Sequence, residues 1–219
     1  MNFFRLDEDY ASIIKSISKD EFIRKAIKEN YGMRIIRQDP WECLISYICS
    51  ANNNIPRITA NVRQISKAFG KRLSDDDTDI DGFAFPEPGS INNHETLRAC
   101  KVGFRSRFIH EANQSVDELE LFALRKKSYE EARAELIKLN GVGEKIADCV
   151  CLFSLDKLEA FPVDVWIRRV MLEQYFKGKT GVELKKLKNS DIQAFARKYF
   201  GKYCGYANQF LFYYRRSQK

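Results

Sequence analysis

The chain has 219 residues, 37 Lys and Arg against 30 Asp and Glu, a net charge of +7 and 44% hydrophobic residues. That length suits one large domain or two small lobes around a buried core. Eleven glycines, five prolines and 13% aromatics exclude a disordered or collagenous chain. No uncharged apolar run approaches the ~18 residues of a membrane-spanning helix. The start, Met1-Asn2-Phe3-Phe4-Arg5, lacks the basic-then-apolar pattern of a secretory signal. The expected setting is soluble and intracellular, cytoplasm or nucleoid in a prokaryote, with no membrane partner.

Helical periodicity dominates. Asp39-Pro40-Trp41-Glu42 reads as an N-cap, a proline in the first turn and the glutamate of a capping box. Trp41, Leu44, Ile45 and Ile48 then fall on one apolar face. Ser50-Ala51-Asn52-Asn53-Asn54 interrupts the pattern, because asparagine side chains compete for backbone hydrogen bonds and favour turns. A second helix follows with Ile55, Ile58, Val62, Ile65 and Phe69 in step and Gly70 as its stop. Residues 74–90 read as an acidic, then proline-containing, surface loop.

Ser128-Tyr129-Glu130-Glu131 is a capping box that opens a helix running to about Leu139. Asn140-Gly141-Val142-Gly143 breaks it, and helical spacing resumes from Glu144 to Leu155 with Ile146, Ala147, Val150 and Cys151 inward. Asp164 is placed to cap a helix carrying Val165, Val170 and Met171. Ser190-Asp191-Ile192-Gln193 caps a further helix before the aromatic C-terminus. With no alternating pattern of useful length and no internal repeat, the expected class is all-α.

Charge is uneven along the chain. Residues 177–219 hold 11 Lys and Arg against Glu183 and Asp191, net +9, whereas residues 1–176 carry 26 basic and 28 acidic side chains. Interleaved with Tyr199, Phe200, Tyr203 and Tyr206, this segment suits a polyanion with stackable bases; a solvated lysine-rich face is the equal alternative. The six cysteines, at 43, 49, 100, 149, 151 and 204, form no CxxC pair and no four-cysteine cluster motif. With only His94 and His110 beside them, neither an iron–sulfur cluster nor another metal site is expected.

Chemistry concentrates around Leu139-Asn140-Gly141-Val142-Gly143-Glu144-Lys145. A glycine turn between two helices lets backbone amides face a phosphate without reading bases, although an ordinary helix–helix turn fits the same residues. Lys145 stands in the first turn of the next helix, where the positive end of the dipole disfavours a second positive charge. A neutral amine there is a nucleophile and a route to a Schiff base. Cys149 shares its face four residues on, and Asp164 sits at another helix start.

The run LNGVGEKIADCVCLFSLDKLEAFPVDV resembles the helix-hairpin-helix DNA glycosylases that carry a Gly/Pro-rich loop and an aspartate. Within them it is most similar to the eukaryotic-type 8-oxoguanine DNA glycosylase/AP lyases. The similarity extends through RQDPWECLISYICSANNNIPRITANV, VGFRSRF, SYEEA and GYANQFLF. It implies a two-lobed all-α fold, with one lobe near residues 40–144 and the other from 1–39 plus 145–219. It implies excision of 8-oxoguanine by attack of Lys145 on C1′, with Asp164 stabilising the developing positive charge. Strand cleavage would follow by β-elimination through the Schiff base.

By the same resemblance Asn52 fills the gap left by a flipped base, Arg57 and Arg105 read the opposite cytosine, and Phe104 wedges into the stack. Cys149 and Phe212 sandwich the extruded base, with Pro162 and Asn208 at its edge. Gly141, Gly143, Ile146 and Trp166 meet phosphates. Two roles stay open: Phe212 reads equally as core, and Arg57 as a phosphate clamp. Trp166 stands where the family usually has histidine, and Asn208 where it has glutamine. Eukaryotic members begin with a β-rich domain, and this chain starts where that domain ends. Some archaeal members without it end in lysine and use that terminus in base recognition, which would put the Lys219 carboxylate at the N7 hydrogen of the lesion; a frayed basic tail that only approaches phosphate is the alternative. The expected partner is duplex DNA with damaged guanine opposite cytosine, bound by a monomer without cofactor. An endonuclease III-type glycosylase/lyase for oxidised pyrimidines and a non-catalytic DNA-binding module are the alternatives.

Overall fold

A computed structural model describes residues 3–75, 78–119, 121–178 and 180–218. Lys219 lies outside the described residues, so its expected role finds no structural counterpart here. In chain order the helices are α1 (Tyr10–Ile17), α2 (Glu21–Glu29), α3 (Pro40–Cys49), α4 (Ile55–Phe69), α5 (His94–Ala99), α6 (Arg105–Leu119), α7 (Tyr129–Ile137), α8 (Glu144–Ser154), α9 (Val165–Tyr175), α10 (Gly181–Lys186), α11 (Asn189–Phe200) and α12 (Cys204–Ser217). Two strands, β1 (Arg72–Asp75) and β2 (Thr78–Phe83), pair antiparallel with Arg72 opposite Phe83. The all-α class holds, with one correction: the expected loop from residue 74 contains most of this hairpin. Its strands are four and six residues long, too short for alternation to stand out from an acidic loop.

Contacts divide the chain into two compact units, Asp39–Ile146 and Met1–Gln38 with Ala147–Lys219, and the division falls inside α8. In the first unit the Asp39 carboxylate accepts the N–H groups of Trp41 (2.9 Å) and Glu42 (3.0 Å), with Pro40 in the first turn. Glu42 does not complete a capping box. Burial, reinforced by the charge of Asp39, instead raises its carboxyl above the usual range. Trp41, Leu44, Ile45 and Ile48 form the expected buried face, and the Trp41 indole donates to Pro86 O at 3.0 Å. On α4 the apolar stripe is buried at Ile65 but Ile55, in the first turn, is 52% exposed. Ser128 and Glu131 exchange both bonds of a capping box at α7.

In the second unit α12 packs against α1, α2, α9 and α11. Arg5, almost fully buried, pairs with Glu8 (2.7 Å) and Asp156 (2.5 Å), and Tyr206 of α12 donates to Glu8 at 2.9 Å. This ties the N-terminal segment to α12 and the turn after α8. Helix α11 begins at Asn189, ahead of the expected Ser190 cap, and the Asp191 carboxylate accepts the Lys188 N–H at 2.8 Å. Among the described residues no helix is long and apolar enough to cross a membrane.

Candidate active site

Lys145 lies in the first turn of α8, half-buried. Its Nζ donates to Ser50 Oγ at 3.3 Å and stands 5.0 Å from the centre of the Tyr47 ring. Ser50 closes α3, and its own hydroxyl donates to Tyr47 O at 2.6 Å, which turns a lone pair towards the amine. Among the described residues of this unit no carboxylate pairs with Lys145. Neither Ser50 nor Tyr47 was singled out from sequence, since both lie about a hundred residues upstream.

The turn before α8 has the geometry that its glycines suggest. Gly141 takes φ +82°, and a Cβ there would lie 2.4 Å from the Phe108 ring. Both the backbone and the ring contact thus require glycine. Val142 N–H donates to Leu139 O at 3.0 Å. At Gly143 an added methyl group would meet nothing within 4 Å, so that backbone is open to an approaching group. Ile146 is buried, and its N–H belongs to the first turn of α8, where amides have no intrahelical acceptor. Phe108 also meets Phe104 edge-on at 6.2 Å, and Phe104 is 58% exposed.

Arg105 differs most from its expected place. It is 5% exposed, and its guanidinium donates to Ala51 O (Nε, 2.8 Å, and also Nη2), Asn52 O (3.0 Å) and Val102 O (3.2 Å). Burial lowers its pKa below the usual guanidinium range, and the nearby charge of Arg57 acts the same way. The bonds hold Asn52 at φ +47° with its side chain exposed. Buried Asn61 supports the same loop, accepting from Asn53 Nδ2 (3.2 Å) and donating to Cys100 O and Lys101 O. Arg57, in the first turn of α4, is exposed and has no side-chain partner among the described residues. Burial pushes the neighbouring Cys49 thiol up to about 12, so it remains neutral.

In the other unit Asp164 caps α9, its Oδ1 accepting the Ile167 N–H at 2.8 Å, while Oδ2 has no partner among the described residues. Two amides hold the two peptide carbonyls just upstream. Gln193 Nε2 donates to Phe161 O at 3.3 Å, and Asn208 Nδ2 to Pro162 O at 2.9 Å. Gln193 also donates to Asp148, a fully buried carboxylate of α8. Asp148 carried no sequence signal of its own, and Gln193 carried one only as part of the expected Ser190–Gln193 helix cap. Asn208 and Pro162, expected at the base edge, are both buried, as is Cys149 at 4% exposure. Phe212 is half-exposed, not core, with the Arg216 guanidinium 5.4 Å from its ring. Trp166 is half-buried, with Arg169 5.5 Å from its ring. Among the described residues no group of three or more His, Cys, Asp or Glu side chains is placed to hold a metal ion, and the six cysteines are buried free thiols.

Residues 1–44 match the family described as 8-oxoguanine DNA glycosylase, N-terminal domain. The N-glycosylase/DNA lyase OGG1 of Arabidopsis thaliana is 35% identical over 228 residues, which cover 97% of this chain and 60% of that protein. The chain thus spans about three-fifths of the length of that curated relative. The 8-oxoguanine glycosylase/lyase of Clostridium acetobutylicum, solved with double-stranded DNA containing cytosine opposite 8-oxoG, is 34% identical with a TM-score of 0.89. That match covers 99% of this chain and 73% of the other. MBOgg1, solved in complex with a low-affinity DNA ligand, is 38% identical with a TM-score of 0.90 and the same coverage.

Proposed function

This chain belongs to the helix-hairpin-helix 8-oxoguanine DNA glycosylase family, and from that premise we propose that it is a bifunctional DNA N-glycosylase and abasic-site lyase acting on 8-oxoguanine in duplex DNA. The observation that carries the reading is Lys145: an amine in the first turn after the glycine hairpin, resting on a hydroxyl and an aromatic face rather than a carboxylate.

In this reading the Lys145 amine attacks C1′ of the damaged nucleotide, the bond from C1′ to N9 breaks, and the base departs with a proton. Asp164 stabilises the positive charge that grows on the sugar through Oδ2, since Oδ1 is engaged at the start of α9. The amine then expels the ring oxygen to give a Schiff base. Loss of a C2′ proton eliminates the 3′ phosphate and cuts the strand. These steps require Lys145 and Asp164 to meet on one nucleotide, and they call for no cofactor.

The hairpin amides at Gly141, Gly143 and Ile146, with Trp166, take phosphates, which positions the strand without reading it. Exposed Phe104 wedges beside the lesion, and Phe212 stacks on the extruded base. Asn52 fills the vacated space on a turn that Arg105 holds open, and Arg57 meets the cytosine opposite. The test is borohydride reduction during reaction with a duplex carrying 8-oxoguanine opposite cytosine, because only a Schiff base becomes a permanent crosslink. Wild-type protein gives the adduct and a cut strand; Lys145→Gln gives neither yet still binds the duplex. An adduct formed by Lys145→Gln would overturn the nucleophile assignment.

A further inference from the structure

Asn208 stands where the resemblance places the amide that reads the lesion's edge, yet it has almost no surface to offer. It is 2% exposed, its Nδ2 is engaged by Pro162 O at 2.9 Å, and its Oδ1 accepts from Gln209 Nε2 at 3.1 Å. Gln209 is half-exposed. Adjacent helical residues point about 100° apart, so a bond between them means that the longer glutamine side chain bends back over Asn208's face. Phe212 lies on that face four residues after Asn208, and Pro162 is two residues before Asp164.

The order of these bonds fixes which way each amide points. A carbonyl oxygen can only accept, so Pro162 O holds the NH2 end of Asn208 towards it. That turns the Asn208 oxygen to Gln209, which must answer with its own NH2 end. Turning the Gln209 amide over would set two oxygens against each other and leave Asn208 Oδ1, a buried acceptor, unpaired. With one N–H engaged, Gln209 keeps an oxygen and a second N–H side by side, in one fixed order.

Building on the glycosylase reading, we infer that Gln209, oriented by the Asn208–Pro162 relay, is the specificity-determining amide of this chain, and that it selects a purine edge with guanine-type polarity. The oxygen accepts from the ring N1–H while the free N–H donates to O6. An adenine-type edge carries the reverse order, an amino donor at C6 and an acceptor at N1, and meets Gln209 donor to donor and acceptor to acceptor. Because the relay prevents the amide from turning over, the mismatch has no low-energy remedy.

The experiment measures single-turnover release of 8-oxoguanine and of 8-oxoadenine from otherwise identical duplexes, together with strand cleavage at a preformed abasic site. Wild type, Gln209→Ala and Gln209→Glu are compared; the glutamate keeps the length but removes both N–H donors. Both variants should lower 8-oxoguanine release about tenfold or more and narrow its preference over 8-oxoadenine by a similar factor. Abasic cleavage, which involves no base, should stay at the wild-type rate and so report an intact fold and nucleophile. An unchanged preference in Gln209→Ala, or an equal loss on all three substrates, would overturn the inference. A wild type that cleaves abasic DNA but releases no 8-oxoguanine would overturn the parent reading of the substrate as well, a result visible before any variant is made.

Discussion

Replacing Arg105 with alanine separates two roles for the same side chain, a reader of the opposite cytosine and a clamp on the Asn52 turn. The alanine would leave two carbonyl oxygens, those of Ala51 and Asn52, without their guanidinium donor, while Val102 O keeps the backbone N–H of residue 105. Each such acceptor costs about 1–3 kcal/mol when water cannot reach it. The turn is partly open to solvent, so values near the low end apply. The cation–π contact with Phe104, 4.5 Å from guanidinium to ring centre, adds about 0.5 kcal/mol. Relief of the desolvated charge offsets some of this, and the expected net loss is about 2–4 kcal/mol. For a chain of this length that lowers the Tm by roughly 5–15 °C. Thermal denaturation should be paired with excision rates for 8-oxoguanine opposite each of the four bases. As a clamp, Arg105→Ala melts early and slows excision opposite all four bases alike. Arg57→Ala, at an exposed and unpartnered side chain, should melt within about 0.5 kcal/mol of wild type and lose cytosine preference by about 1–3 kcal/mol. An Arg105→Ala protein that melts like wild type but loses only its preference for cytosine would refute the clamp.

Asp164→Asn should keep the fold, since asparagine caps a helix about as well as aspartate, while excision slows by a hundredfold or more because the charge facing the developing cation is gone; a normal excision rate would remove Asp164 from the mechanism. The two hairpin glycines should respond differently to alanine. Gly141→Ala meets a positive φ and the Phe108 ring, so denaturant titration should register a loss of about 1–3 kcal/mol. Gly143→Ala enters open space, so its stability should change little while affinity for duplex DNA falls. Equal stability losses at both positions would mean that the turn is under a common constraint unrelated to DNA.

Signals that act within one turn of chain were legible. Asp39 with Pro40, Ser128 with Glu131, and Asp164 each mark a helix start because the capping oxygen and the N–H that donates to it are only two or three residues apart. The glycine turn before Lys145 was legible for the same reason, and together with the residues that flank it carried the family resemblance. Periodicity gave the direction of an apolar face but not how far along the helix its neighbour extends, which is why Ile65 is buried and Ile55 in the same stripe is exposed. The pairings that define the site are of another kind. Lys145 meets Ser50 across 95 positions, Arg105 meets Ala51 across 54, and Asn208 meets Pro162 across 46. No local pattern records such partners, because each depends on where a distant carbonyl or hydroxyl is left after the helices pack. Residue type therefore indicated which groups could do the chemistry, but not which of them were already engaged. An arginine with four of its bonds directed to carbonyls and an asparagine with both ends of its amide occupied have little left for a ligand. Arg57 is exposed and Gln209 half-exposed, and the proposed reading therefore assigns the DNA contact to these more open side chains.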